Sequence, residues 1–273
     1  MNHDAVQTHF NALAEQGVWA SLYQPEAKVN AESYSYLVRA RRVMELLGSR
    51  DSPPRSLLSI GCGTAPLGPA VVAMGARYTG MDFSPPMIDT ARRLMGDLMA
   101  AGAARLLLGE ARNVPFPDAA FDTVLAMGLV EYVPRGQVTR VMQEVARLLA
   151  PGGAAIVTIP KRWCWSRMLN AVSSPVRRII AWRPHSANSK LHCNEAFHRL
   201  YLTPAELDRI GRSAGLLKLA ERHYNVQIAG GPFIWLAPRL AYLINRPFEW
   251  MARIPGLSFM ATGYIAMYRR DPK

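Results

Sequence analysis

Acidic residues are scarce in the second half of this 273-residue chain. Residues 1–150 hold 14 Lys/Arg and 14 Asp/Glu, whereas residues 151–273 hold 18 and 6, so the whole formal charge of +12 lies there. From Lys161 to Asn194 there are seven basic residues and no acid. A field that one-sided favours an anionic partner, although a plain solvated, arginine-rich face has the same composition. Cysteine is also scarce. Cys62, Cys164 and Cys193 form no CxxC pair, which argues against a disulfide framework and against a zinc site. No metal-ligand spacing occurs, and no metal site is expected. No breaker-free run of about twenty apolar residues is present, so no spanning helix is expected. The segment MNHDAVQTHF lacks a basic region followed by an apolar core, which is the reading of a cytoplasmic protein without a signal peptide. What is present is apolar: half of the residues are hydrophobic, enough for one well-buried domain or one domain carrying an insertion.

The order of periodic segments indicates the fold class. Residues 4–20 and 31–47 have the spacing of amphipathic helices, the second stopped by Gly48 and Asp51-Ser52-Pro53-Pro54. Five short apolar runs then follow, at 56–60, 77–81, 105–108, 121–127 and 154–159. Helical segments at 67–74, 87–100 and 135–149 separate them, except between the third and fourth runs. Strands alternating with helices in this way predict βαβ units and a parallel sheet. Beyond residue 160 the pattern loosens. Thr203-Pro204-Ala205-Glu206 predicts a capping box opening a helix to about Ala214. Leu216–Tyr224 and Thr262–Arg269 have the composition of two final strands.

The first chemical signal is the Gly61-Cys62-Gly63 turn after the first strand, where a ligand can approach bare backbone and the next helix offers its N-terminus. A tight strand-to-helix turn would want glycine in any case. The turn gains weight from Asp82, 21 residues after Gly61, at the end of the second strand. An open α/β sheet places an acid on ribose hydroxyls at that point. A nucleotide-type cofactor follows from the pair, the alternative being that Asp82 merely caps a turn.

Four runs together carry a resemblance: LLSIGCGTAPLG, YTGMDFSPPMI, LLLGEARNVPFPDAAFDTVLAMGLVEYV and VARLLAPGGAAIVTIP, covering about residues 56–160. In this order and spacing they resemble the class I S-adenosylmethionine (SAM)-dependent methyltransferases of the UbiE/BioC-like small-molecule branch. The resemblance implies an α/β fold: a Rossmann-like seven-stranded sheet with helices on both faces and a basic, aromatic substrate-cap insertion. It implies an enzyme whose cofactor is SAM rather than NAD. It further implies that Gly61 and Gly63 back the methionine moiety, that Cys62 between them belongs to the cofactor-binding set, and that Asp82 holds the ribose. Phe83 and Met87 would line the adenine face, Glu110 and Ala111 its amino edge, and Met127 the far side of the cofactor. Ser59 stands where the family has an acid, and Ala65 where it has a third glycine. Both belong to the expected cofactor-binding set, with Ala65 adding a methyl group near the ligand. They keep open a reading of the chain as a non-catalytic binding or regulatory module on a degenerate fold. The short run FNALAEQGVWASLY is similar to the lead-in of magnesium-protoporphyrin methyltransferases.

Methyl transfer from a sulfonium is an in-line displacement in which positioning and desolvation do much of the work, and a base is needed only for a protonated acceptor. Candidate catalytic groups are His192, His198, Tyr34 and Glu131, with Tyr201, Tyr23 and Tyr36 behind them. The N-terminal tyrosines and Trp19 suit a water-excluding lid or simply the core of two packed helices. After the fourth strand, AMGLVEYV lacks the Asn/Asp-Pro-Pro-aromatic signature of adenine amino-methylation, and no Pro-Cys nucleophile is present. No RRM, KH or OB pattern occurs either, so nucleic acid is disfavoured as a partner.

The apolar, proline-broken run GPFIWLAPRLAYLINRPFEWM, with Arg239 and Arg246, suits either a membrane interface or the roof of an apolar pocket, and so do Trp163, Trp165 and Trp182 among arginines. The expected acceptor is therefore a hydrophobic small molecule or lipid, methylated on O or C and carrying an anionic group, with peripheral contact to an anionic membrane. A prenyl diphosphate is the alternative, and only that acceptor would bring magnesium. The domain reading is 1–50 N-terminal helices or lid, 51–160 cofactor core, 161–202 basic cap, and 203–273 the rest of the sheet with an apolar insertion at 230–258.

Overall fold

Seven strands form one sheet: β1 Ser56–Ile60, β2 Arg77–Asp82, β3 Ala104–Leu108, β4 Phe121–Ala126, β5 Leu149–Pro160, β6 Leu216–Val226 and β7 Ala261–Arg270. Their spatial order is β3-β2-β1-β4-β5-β7-β6. The computed structural model describes residues 3–23, 31–50, 52–172, 199–229 and 237–271. β1 to β5 pair in parallel, while β7 runs antiparallel to both β5 and β6. The sheet is thus mixed, and the two strands expected last supply its antiparallel edge.

Alternation along the strands sends apolar side chains to both faces, as a doubly covered sheet requires. Leu58, Ile60, Val124 and Val157 pack on one side with the helix Val138–Leu148. Leu57, Tyr78, Leu106 and Ile156 pack on the other against the helices Ala31–Gly48 and Pro85–Leu94. The expected helix at 87–100 is two helices, Pro85–Leu94 and Gly96–Ala100. Met95 joins them, with its side chain buried under Gly68. The expected turn at Pro151-Gly152-Gly153 is absorbed into β5 as an irregularity, with Gly152 at φ 73 and the register against β4 shifting between Phe121 and Thr123.

Two features of the connections position the site. The chain leaves β1 toward β2 on one side and returns to β4 on the other, so a crevice opens at the carboxyl ends of β1 and β4. Over it lies the N-terminal segment, helices His3–Glu15 and Val18–Ser21. Val6, Phe10, Leu13, Trp19 and Tyr36 form a small core with Met87, flanked by Phe83 and Tyr132. The expected apolar insertion contains a helix, Pro238–Asn245, packed on the helix Ala31–Gly48 and continued by a 3₁₀ segment Arg246–Arg253 packed on β6. In the expected basic cap, residues 161–172 and 199–202 are described, and they include the helix Trp165–Val172.

Candidate active site

A cleft of about 1050 Å³, including its open mouth, occupies the crevice beneath the N-terminal segment. Its floor is the turn after β1. Gly61 N and Cys62 N both donate to Met81 O, at 2.8 and 3.0 Å, which ties the turn to the end of β2. Gly63 N donates to Asp82 Oδ2 at 2.8 Å and Ser84 N to Asp82 Oδ1 at 3.0 Å. Asp82 therefore does both things the sequence left open: it caps the chain entering the helix at Pro85, and it stands at the cleft wall.

Burial drives the Asp82 carboxyl up to about 6, against the pull of the backbone N–H groups of Ser84 and Gly63 that bond its charged form. The backbone N–H groups of Ser84, Gly63 and Phe83 all bond this carboxylate, and its two oxygens, with about four lone-pair sites, keep acceptor capacity beyond them. A neighbouring pair of hydroxyls would find two acceptors there, which is the chemistry of a ribose.

Gly63, at φ +54, would place a Cβ 2.8 Å from Trp19 Nε1, and Gly61 one 3.0 Å from Leu129 Cδ1. The turn is thus bare backbone pressed against the roof and the far wall. Ser59 lies beneath it, buried, with its hydroxyl hydrogen-bonded to Tyr78. The donor set fits an adenosyl cofactor: a carboxylate at the end of β2, bare backbone after β1, and Phe83 and Met87 beside them.

Ten of the eleven residues expected at the cofactor line this cleft: Ser59, Gly61, Cys62, Gly63, Asp82, Phe83, Met87, Glu110, Ala111 and Met127. Ala65 does not. It is 1 % exposed at φ 55, and its methyl group turns into the core around Leu67 and Val71 rather than toward a ligand. Glu110 pairs with Arg112, whose other nitrogen donates to Gln137 at 3.1 Å.

The roof was only partly anticipated. Trp19 and Tyr23 had a lid as one of their two readings, the other being helix core; Phe10 opens the FNALAEQGVWASLY run but had no assigned role, and Val6 is recognisable only by its apolar spacing. Tyr132, Pro134 and Gln137 on the far wall had no sequence signal beyond following β4.

The candidate catalytic residues separate. His192 and His198 lie outside the described residues. Tyr34 is not in the cleft wall; it is buried against Tyr242 with ring centroids 5.2 Å apart. Glu131 lies just behind the wall, 1 % exposed, in the 3₁₀ turn after β4. Arg199 Nη2 donates to its Oε1 at 2.6 Å, and Arg39 Nη1 lies 4.0 Å from the same atom. Arg39 Nη2 in turn donates at 2.8 Å to the hydroxyl of Tyr23, which lines the cleft. Tyr36 and Tyr132 stack their rings under the two guanidiniums, at 5.1 and 5.6 Å. Arg39 Nε, Arg199 Nε and Glu131 Oε2 are buried with no hydrogen-bond partner among the described residues. Glu131 is thus an ion-pair partner in a cage of two cations, one anion and several tyrosines.

Residues 57–153 match the family model described as a methyltransferase domain. Over 101 residues the chain is 36% identical to a phosphatidylethanolamine N-methyltransferase of Cereibacter sphaeroides, covering 37% of this chain and 48% of that protein. Over 121 residues it is 36% identical to a demethylmenaquinone methyltransferase of Thermus thermophilus, covering 43% and 51%. The chain thus spans about half the length of these curated relatives. Among solved structures it is similar to magnesium protoporphyrin IX methyltransferase of Synechocystis with bound SAH, at TM-score 0.64 and 12% identity. That likeness covers 98% of this chain and 99% of the other, and it shows the fold alone.

Proposed function

We propose that this chain is a class I SAM-dependent methyltransferase of the small-molecule branch, and that it methylates a hydrophobic, lipid-like acceptor on oxygen or carbon. The observation that carries the reading is the roofed cleft at the carboxyl ends of β1, β2 and β4, with Asp82 in its wall. The bound cofactor supplies a methyl group already activated on a sulfonium.

The protein's part is to bind, orient and exclude water. Asp82 accepts the ribose hydroxyls. Phe83 and Met87 cover one face of the adenine, with Glu110 and Ala111 at its edge. Ser59 offers a neutral hydroxyl near the methionine end, and Gly61, Cys62 and Gly63 give it backbone. Met127 closes the side toward β4. Phe10, Trp19 and Tyr23 shut the cleft from above, and their aromatic faces suit an apolar acceptor.

The cage of Arg39, Glu131 and Arg199 supports an anionic end on that acceptor. Among the described residues it holds two guanidiniums against one carboxylate, and buried charge without a counter-charge is costly. A carboxylate or phosphate oxygen near Tyr23 would supply the missing negative charge. A diphosphate would suit the same cage, with magnesium entering only for that acceptor. The names of the matched relatives, one acting on a phospholipid and one on a quinone precursor, also support a lipid-like acceptor at a membrane surface. Among the described residues no helix is long and apolar enough to cross a membrane. The non-catalytic reading loses the part of its motive that rested on Ala65, which points away from the cleft, and keeps the part that rests on Ser59 carrying no charge.

Titration calorimetry with SAM and with its demethylated product tests the proposal. Binding in the micromolar range, at least tenfold weaker in Asp82→Ala, is expected. No heat at millimolar ligand would sink it.

A further inference from the structure

The segment 238–260 has its polarity reversed. The helix Pro238–Asn245 and the 3₁₀ turns after it bury Ala241, Asn245, Glu249 and Ala252 against the protein. Two of those four inward residues are polar, and their polar atoms are satisfied there. Asn245 Oδ1 accepts from Ala229 N at 2.8 Å, and its Nδ2 donates to Ala229 O at 3.1 Å. Glu249 accepts from Asn225 N and Val226 N at 3.0 and 2.9 Å, with Arg42 Nη2 3.9 Å away. The outward side instead presents Leu240, Leu243, Ile244, Phe248, Trp250 and Ile254, with Leu243 61% and Trp250 56% exposed. A helix on a water-facing surface has the opposite arrangement.

The patch continues onto a second segment. Lys161 Nζ donates to Ser258 O at 2.7 Å, and the helix Trp165–Val172 packs beside the turn Ser258–Met260. This brings the segment that carries the exposed Trp163, Trp165 and Met168 beside the turn that carries Phe259. Of the thirteen large apolar side chains exposed among the described residues, ten lie in these two adjoining segments. Concentration of that degree marks an interaction surface rather than scattered exposure.

The charge on this surface has one sign. Arg239, Arg246 and Arg253 are exposed among the apolar residues. Between Gln227 and Arg270 the sequence holds one acid, Glu249, and it is buried in the interior. Tryptophan, phenylalanine and leucine interleaved with arginine match the interfacial zone of a bilayer: rings and aliphatic tips at acyl depth, guanidiniums at the headgroups. A protein partner of mixed charge would leave those arginines without counter-charges.

We propose that residues 238–259, with Trp163, Trp165 and Met168, form a docking face for an anionic lipid bilayer. The face gives the lipid-like acceptor reading a physical location, but it does not depend on methyl transfer. A chain that bound no SAM would still be expected to dock.

The test is flotation of the full-length protein with vesicles of phosphatidylcholine alone or with 1:1 phosphatidylglycerol, at low and high salt. Flotation with the anionic vesicles, at least tenfold weaker on neutral ones and weakened by salt, is expected. Leu243→Ser combined with Trp250→Ser should lower it at least tenfold, while calorimetry with SAH on the same variant reports that the fold and the cofactor cleft are intact. Arg239→Gln with Arg246→Gln should lower anionic-vesicle binding and leave the weak neutral binding unchanged. Absence of flotation, flotation indifferent to lipid charge, or unaltered flotation of the Leu243/Trp250 variant would each overturn the proposal. So would a concentration-dependent dimer abolished by the Leu243/Trp250 variant, which would assign the face to a second copy of the chain. SAH binding without vesicle binding would overturn the docking face and leave the methyltransferase reading standing; the reverse result would do the opposite.

Discussion

Asp82 has opposing effects on folding and on ligand binding. Its folded-state value of about 6 lies above the ordinary carboxyl value near 3.8, so the folded protein takes up its proton first. By linkage, this group lowers stability above pH 6, and its penalty is relieved as pH falls through the window from 6 to about 4. A ribose needs the ionised form, so affinity for the cofactor should move the other way. SAH affinity, measured by calorimetry, should fall by up to about tenfold per pH unit below about 6 and be flat in Asp82→Asn.

Glu131 makes a second residue-scale prediction. Glu131→Gln removes the one anion facing Arg39 and Arg199 among the described residues and should cost about 3–5 kcal/mol in chemical denaturation, because it leaves buried cations uncompensated. Gly63→Ala faces both a left-handed φ and Trp19 Nε1, and should cost about 1–2 kcal/mol. Ala65→Gly at φ 55 should be nearly neutral. It relieves about 1 kcal/mol of backbone strain, but loses about as much in a buried methyl group and in unfolded-chain entropy.

At the scale of elements, what could be read from the chain depended on whether the signal was local. The capping box at Thr203 is present as the sequence implied: Glu206 N donates to Thr203 Oγ1 at 3.1 Å and Thr203 N to Glu206 Oε2 at 2.8 Å. Hydrogen bonding from the Thr203 backbone, then Arg135, holds the Glu206 carboxyl down to about 2. Its contribution is full above the ordinary value near 4.5 and is lost as pH falls toward 2. Thr203→Ala should lower stability by about 1 kcal/mol, seen as a shifted urea midpoint with unchanged slope.

Strands β1 to β4 were legible to within a residue or two, since alternation and flanking turns are local facts. The segment 238–253 was not legible as a helix, because its apolar residues lie on the outside and its polar ones inside. Periodicity gives the faces of a helix but not which face the protein keeps. The break at Met95 was hidden for a similar reason: it answers to the space under Gly68, a tertiary contact.

For the whole molecule, the cleft floor could be read from motifs, while the roof depended on how the chain ends up stacked. Gly61, Gly63, Asp82 and Glu110 sit at strand ends whose positions the βαβ pattern dictates. Val6 and Phe10 reach the cleft only because their helix lies across the crevice, a fact of assembly that the FNALAEQGVWASLY run beginning at Phe10 does not spell out. The cage likewise joins residues 39, 131 and 199, distant in sequence, and single arginines give no warning of one another.

The roof has a kinetic consequence. Phe10 packs edge-on to Trp19, at 5.4 Å, and to Tyr132, at 4.8 Å, so the first helix is joined to the far wall across the mouth of the cleft. A spent cofactor leaving on that side must part those ring contacts. Turnover would then be set by how often the N-terminal helix lifts rather than by the displacement at carbon. Phe10→Ala should raise the SAH dissociation rate in stopped flow by about tenfold or more, and with it the steady-state rate, until chemistry becomes the slower step.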